Sequence, residues 1–132
     1  MFVNECPLLR FVGKENNVSD QFGEKVSEQQ VRAGLAGVAA KFMLVACEAN
    51  AYTVYIEGDA VGVGERLEAA LLENVHYRYC RELGQLERVR EVRTTRGHER
   101  YLVECHRRGQ KLGEIKPSCL SREPGWIRVF AQ

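Results

Sequence analysis

This sequence lacks the long apolar run and the one-sided charge that mark membrane-spanning and nucleic-acid-binding proteins. In its 132 residues no apolar run approaches the roughly 18 residues of a membrane span. Lysine and arginine together number 19, aspartate and glutamate 18, so the formal net charge is only +1. The overall charge therefore gives no reason to expect binding to nucleic acid or to an anionic membrane. The N-terminus also lacks the basic start and apolar segment of a signal peptide, which predicts a cytoplasmic protein.

Cysteine pairs and nucleotide-binding motifs are missing as well. The cysteines are odd in number and contain no Cys-x-x-Cys pair, which argues against a disulfide framework and against a zinc site: Cys6, Cys47, Cys80, Cys105 and Cys119. No histidine has ligand partners at a metal-binding spacing, so no metal site is predicted. Glycine-rich phosphate-binding loops and the Gly-x-Ser-x-Gly motif of hydrolases are also absent. The isolated chain is therefore expected to hold no cofactor.

The apolar pattern in the first half of the chain predicts a helix followed by a β-hairpin. Ser27 and Gln30 form a Ser-x-x-Gln capping box ahead of apolar residues at helical spacing, so a helix is predicted over residues 28–40. Residues 42–47 are continuously apolar and predict a buried strand, in which Cys47 is a small core residue. After a turn at residues 48–51, alternating Tyr52, Val54 and Ile56 predict the return strand.

The remaining patterns complete the order strand, helix, hairpin, helix, strand, helix, strand. They predict a strand at residues 8–12, a helix from about residue 64 to before Gly84, an arginine-rich strand at 89–94, a helix at 98–108 and a last strand at 126–130. This order predicts a small two-layer α+β domain. We expect a mostly antiparallel sheet, helices on one side and a split βαβ-like core.

Two polar segments lie between the first predicted strand and the first predicted helix. Gly13-Lys14-Glu15-Asn16 forms a polar turn, in which asparagine tolerates unusual backbone dihedral angles. Val18-Ser19-Asp20 and Gly23-Glu24-Lys25 follow, and a glycine at position 23 allows a positive φ. From the residues alone, the first segment can also be a plain polar turn, and the second can also be a glycine turn followed by a solvated ion pair.

This arrangement resembles the hinge region of the acyl-adenylate-forming enzymes. Its Val-Ser-Asp and Gly-Glu-Lys pieces look most like those of the auxin-responsive acyl-acid amido synthetases, the plant hormone-conjugating enzymes and their bacterial relatives. The resemblance implies that residues 1–132 are the C-terminal lid domain of such an enzyme, without its ATP-binding domain. It implies a hinge at Lys14 and Asn16. It also implies contacts to nucleotide or to the neighbouring domain from Ser19, Asp20, Gly23, Glu24 and Lys25.

A third segment near the C-terminus, residues 113–117, reads Gly-Glu-Ile-Lys-Pro. It resembles the glycine-containing loop on which these enzymes carry a lysine that reaches the α-phosphate and the substrate carboxylate. The resemblance implies that Lys116 is catalytic. Adenylation of a carboxylate is favoured by a cation at this point, because a compact ammonium can neutralise the charge that builds on the phosphoryl oxygens. The alternative from the residues alone is an exposed loop lysine.

By resemblance, the complete enzyme uses ATP and Mg to activate a carboxylic acid as an acyl-adenylate. It then transfers the acyl group to an amine such as an amino acid, with the missing N-terminal adenylation domain as partner. A different class of function is a free-standing α+β interaction module that binds protein or RNA, because nine arginines fall between residues 78 and 108. Interleaved glutamates and the lack of a paired aromatic RNA-binding signature favour a solvated mixed-charge face. We therefore expect neither a nucleic acid nor a membrane as partner.

Overall fold

A mixed β-sheet organises residues 17–111 and 118–131, which the computed structural model describes. Its strands are β3 (Phe42–Glu48), β4 (Ala51–Glu57), β5 (Glu87–Arg93) and β6 (Leu120–Ser121), in the spatial order β5-β4-β3-β6. A separate two-stranded ladder pairs β1 (Val18–Ser19) with β2 (Val26–Ser27). The helices are α1 (Glu28–Gly34), α2 (Val63–Leu71), α3 (Val75–Glu82), α4 (Gly97–Arg107) and α5 (Ile127–Phe130). The prediction of an α+β domain is confirmed.

The predicted hairpin forms the centre of the sheet. Strands β3 and β4 pair antiparallel along their whole length, from Phe42 opposite Glu57 to Glu48 opposite Ala51. The turn consists of Ala49 and Asn50, whose φ angles are 48° and 59°. Two successive left-handed residues match the twist of the flanking strands and fix their register.

Alternate residues of this hairpin face two separate cores, so helices cover both faces of the sheet. Val45, Val54 and Ile56 point into one core, which they share with residues of α1, α2 and α3. Leu44 and Tyr55 point into the other, which contains apolar residues of α4 and α5. The expectation of helices on one side is therefore wrong. The physical reason is that both faces of the central strands are apolar and must be removed from water.

The sheet is also mixed rather than mostly antiparallel. Strand β5 runs parallel to β4, and β6 runs parallel to β3. Helices α2 and α3 form the crossover between β4 and β5, as a parallel pair requires. Because β4 and β5 are adjacent, this unit is a simple βαβ and not the split form that we expected.

Two predicted helices differ from the observed ones. The capping box of α1 is confirmed, since Gln30 N donates to Ser27 Oγ at 3.1 Å and Ser27 N donates to Gln30 Oε1 at 3.0 Å. However, α1 ends at Gly34 and not at residue 40, in a stretch whose glycines have low helix propensity. The single helix predicted from residue 64 is divided into α2 and α3. Asn74 is responsible, because its side chain caps α3 by accepting from the amides of His76 and Tyr77.

The last predicted strand, at residues 126–130, is instead the short helix α5. Trp126 and Phe130 stack with ring centroids 5.6 Å apart, as residues four apart on one helix face can. The strand predicted at 89–94 and the helix predicted at 98–108 are confirmed within two residues as β5 and α4. The strand predicted at residues 8–12 lies outside the described residues.

Candidate functional site

The Val-Ser-Asp and Gly-Glu-Lys pieces are joined by a tight turn between β1 and β2, which we call the motif turn (residues 20–25). Gly23 adopts the expected positive φ, 98°. Its amide donates to Asp20 Oδ1 at 2.7 Å, and Lys25 Nζ lies 3.3 Å from Asp20 Oδ2. Asp20, Gly23 and Lys25 are exposed. Three of the five residues that the resemblance singled out therefore stand on the surface, in a turn closed by its own hydrogen bonds.

The carboxylate of Glu24 holds the motif turn from the inside. Glu24 is fully buried. Its oxygens accept from the amides of Gln21 at 2.8 Å and Phe22 at 2.7 Å, and from the Tyr52 hydroxyl at 2.7 Å. All these contacts lie within the domain. The expectation that Glu24 faces a neighbouring domain is therefore wrong, because its charge is satisfied internally.

Tyr52 connects this carboxylate to β1. Its Oη lies 2.8 Å from Ser19 Oγ, and both residues are buried. Burial raises the pKa of Tyr52 far above its usual value, and the Glu24 carboxylate raises it further. The Tyr52 hydroxyl consequently stays protonated and can donate to Glu24. Ser19 belongs to this internal network and not to an exposed face.

Asn74 attaches the other side of the motif turn to α3. Its Nδ2 donates to Glu24 O at 3.0 Å and to Lys25 O at 3.2 Å, while its Oδ1 caps the helix. The sequence interpretation placed Asn74 inside a longer helix and missed this role. The available signal was an N-cap residue type within the helical pattern.

A second buried carboxylate lies at the start of α1, in a group that we call the Glu28 junction (Asn17, Glu28, Ser118, Cys119 and Leu120). Asn17 Nδ2 donates to Glu28 Oε1 at 2.6 Å, and the amide of Cys119 donates to Glu28 Oε2 at 3.3 Å. Asn17 Nδ2 also lies 3.3 Å from Ser118 Oγ and 3.1 Å from Leu120 O. The sequence interpretation missed this junction, because a glutamate in the first turn of a helix is ordinary.

The predicted hinge residues Lys14 and Asn16 and the predicted catalytic Lys116 lie outside the described residues. Their described neighbours, however, are in contact. Asn17 directly follows the hinge, Ser118 follows Lys116 by two positions, and their side chains meet in the Glu28 junction. Asn16 and Lys116 are 100 residues apart in the sequence, yet the described residues next to them meet at one place in the fold.

The arginine-rich region shows ion pairs within the described residues. Arg90 pairs with Glu87, and Arg93 pairs with Glu91, along the edge strand β5. On α4, Glu104 accepts from Arg107 and Arg108. These pairs agree with a mixed-charge face, since paired guanidinium groups are less available to phosphates.

An open groove of about 730 Å³ lies beside α4, and its lining includes Leu102, Val103 and His106 of that helix together with Lys41 and Glu57. The amide of Gly97 donates to Glu57 Oε1 at 3.0 Å and lowers the pKa of that carboxyl. Over residues 17–111 and 118–131 there is no cluster of histidine, cysteine, aspartate or glutamate suited to a metal ion. Within the same ranges, no helix has the length and apolar character needed to cross a membrane.

No protein-family model and no curated protein matches this chain. A functional assignment consequently depends on its residues and their geometry. Two features stand out in that geometry: an exposed, internally braced turn and a buried junction that borders both predicted sites.

Proposed function

We propose that this chain is the C-terminal lid domain of an ATP-dependent acyl-acid amido synthetase-like ligase that works in the cytoplasm. The complete enzyme would activate a carboxylic acid as an acyl-adenylate and pass the acyl group to an amine such as an amino acid. The observation that carries the proposal is the contact between Asn17 and Ser118. It brings together the described neighbours of the predicted hinge and of the predicted catalytic lysine.

A lid that changes orientation between two half-reactions needs its reactive side chain fixed to the part that rotates. Ser118 and Leu120 hydrogen-bond to Asn17, and Leu120 pairs with Val45 in the central sheet. A rotation at Asn16 would therefore carry the chain on both sides of the junction as one body.

The motif turn supports the same proposal, as a surface for the adenylation domain. Its exposed residues are braced by Glu24 and by Asn74, and Phe22 is 44% exposed between them. A surface that is ordered before it binds loses less conformational entropy on association. We expect Asp20, Gly23 and Lys25 to contact the adenylation domain, while Ser19 and Glu24 maintain the shape of the turn.

The described residues do not fit ATP or Mg by themselves. The amides of the motif turn already donate to Asp20 and Glu24, which leaves no cradle for a phosphate group. The acidic side chains of the described ranges form no cluster that would hold a divalent cation. Both ligands would be bound by the adenylation domain, and the chain alone would not catalyse adenylation.

The test replaces Lys116 by alanine in the enzyme that joins this domain to its adenylation domain. Acyl-adenylate formation should slow by about 100-fold or more, since a positioned charge at a developing anion is worth a few kcal/mol. Amide formation from a supplied acyl-adenylate should change far less. The matched control is Lys111→Ala, which removes an exposed lysine five positions earlier and should affect neither step.

The two half-reactions must be measured separately. Equal slowing of both would mean that Lys116 acts through structure or general binding. If neither slows, Lys116 is a surface lysine and the proposal fails. The free-standing interaction module would then be favoured, and sequence-selective RNA binding that survives about 0.2 M salt would identify its partner.

A further inference from the structure

Helix α3 carries apolar side chains on its solvent-exposed face as well as on its buried one. Val75, Tyr79 and Leu83, the residue that caps the helix, are exposed by 56%, 61% and 55%. Because they follow one another at intervals of four residues, they form one line along the helix, which we call the α3 stripe. On the opposite face, Tyr77 and Cys80 are buried in the domain core. The helix is therefore apolar on two faces, and its own domain covers only one of them.

Exposed apolar side chains are concentrated at the α3 stripe within the described part of the chain. Seven large ones are exposed there, and three of these belong to this one short helix and its cap. A single exposed apolar residue needs no explanation, but a contiguous line of them indicates a surface that another molecule covers. Tyr79 lies at the centre of the line. Tyrosine is enriched at protein–protein interfaces, because its rigid ring buries a large area at low entropic cost.

The charges beside the stripe indicate which molecule this is. Arg78 and Glu82 are exposed and lie four residues apart on the same flank of the stripe. Arg78 Nη1 donates to Leu72 O at 2.9 Å, and neither Arg78 nor Glu82 forms an ion pair within the described residues. A flank with a cation toward one end and an anion toward the other is complementary to its own copy in the reverse direction. A two-fold contact between identical chains produces that arrangement.

We propose that the α3 stripe is a self-association surface, on which a second copy of this chain docks with its own α3 antiparallel. With the two-fold axis at Tyr79, each Val75 packs against Leu83 of the other copy, and each Arg78 pairs with Glu82 of the other copy. The inference concerns the chain itself and does not rest on the proposed function.

The size of the stripe sets the strength of this contact. A helix of this length spans only about 12 Å, so the contact buries less area than a standard stable interface. Association should therefore be weak and reversible, with a dissociation constant of roughly 0.01–1 mM.

Sedimentation equilibrium of the 132-residue chain, from about 10 μM to about 1 mM, measures this association. Val75→Glu and Leu83→Glu should each weaken it at least about tenfold, because each places an unpaired charge in the apolar contact. The matched control is Val103→Glu, since Val103 is 63% exposed on a different helix, α4, and it should leave the association unchanged. Circular dichroism should show a folded chain in every variant, because all three side chains are exposed.

An exchange of charges between copies tests the antiparallel arrangement. Arg78→Glu alone and Glu82→Arg alone should each associate about fivefold more weakly, because each places like charges opposite one another in the dimer. An equal mixture of the two variants should recover the original association within about twofold, since one copy then carries two glutamates and the other two arginines. Pairing within one chain cannot produce this recovery.

Three outcomes would contradict the inference. A chain that stays monomeric at about 1 mM would overturn it, and the stripe would then be assigned to a different protein partner. An association that Val75→Glu and Leu83→Glu leave intact, or that Val103→Glu weakens equally, would also overturn it, since another surface would then be responsible. A mixture that fails to recover would overturn the antiparallel docking.

Discussion

The hydrogen bond between Tyr52 and Glu24 can be measured by removing each partner alone and both together. Tyr52→Phe deletes a buried hydroxyl that donates to the carboxylate at 2.7 Å. A hydrogen bond to a charged group is worth about 1.5–3 kcal/mol, so the free energy of unfolding should fall by roughly 2 kcal/mol. Glu24→Gln places an NH2 group where amides of Gln21 and Phe22 donate, and should cost a similar or larger amount.

The double variant Tyr52→Phe/Glu24→Gln should lose less than the sum of the two single effects. Groups in one hydrogen-bond network show coupling energies of about 0.5–3 kcal/mol, and we expect roughly 1.5 kcal/mol for this pair. The assay is urea denaturation of the chain, followed by circular dichroism and by the fluorescence of Trp126. Tyr79→Phe is the matched control, because Tyr79 is 61% exposed and its variant should stay within about 0.5 kcal/mol of the original chain.

Additive effects would refute the reasoning. They would mean that Tyr52 and Glu24 contribute to stability independently and that the motif turn does not depend on their contact. A neutral Tyr52→Phe variant would be equally damaging, since it would show that Glu24 finds another donor at no cost.

Three further predictions concern the cofactor, the packing and the charge pairs. The chain alone should show no ATP binding by calorimetry, and micromolar affinity would contradict the lid proposal. Gly34→Ala should lower the free energy of unfolding in urea by about 1–3 kcal/mol despite the better helix propensity of alanine, because the new Cβ would lie 2.7 Å from Ala70 Cβ. In the control Ala33→Gly, an exposed position of α1, propensity alone should cost about 1 kcal/mol; a stabilised Gly34→Ala variant would contradict the packing argument. Hydrogen bonds from Arg107, with a further contribution from Arg108, lower the pKa of Glu104 from 4.5 to about 2. A carboxyl group whose pKa is lowered by folding stabilises the folded state at pH values above its unfolded pKa. That stabilisation is lost as the pH falls through the folded pKa. At about 1.4 kcal/mol per pKa unit the upper bound is roughly 3 kcal/mol, and screening at the 59% exposed Arg107 side chain should reduce it to about 1–2 kcal/mol. Glu104→Gln should thus be destabilised at pH 7 but match the original chain near pH 2, and a constant difference across that range would contradict this account.

The elements that sequence reasoning predicted correctly depend on short-range signals. The capping box at Ser27 and the alternation through Tyr52, Val54 and Ile56 lie within a few residues of one another. The division of α2 from α3 depends on Asn74, whose Nδ2 donates to Glu24 O, 50 residues away. The second face of the sheet is covered because the chain after β5 crosses that face and places α4 and α5 on it. No local pattern contains that information.

In the candidate site, too, some features could be predicted from local residue types and others depend on distant contacts. A glycine turn with a positive φ at Gly23 could be predicted from the residue type alone. Whether Glu24 faces solvent or the interior depends on Tyr52, which lies on a strand that pairs elsewhere in the fold. The Glu28 junction requires residues 17 and 119 to meet, which is a property of the sheet order and not of either segment.

Glu24 and Glu28 are two buried carboxylates four residues apart, and each accepts hydrogen bonds at both oxygens. Apolar residues of similar size at such positions are often as stabilising or more so, since they avoid the cost of desolvating a charge. Hydrogen bonds have direction, however, and an apolar contact does not fix a backbone in the same way. Each carboxylate holds a particular stretch of backbone: the motif turn in one case, and residues 17 and 119 in the other. We therefore infer that these two carboxylates serve to fix the position of the backbone at this edge of the domain more than to raise its stability.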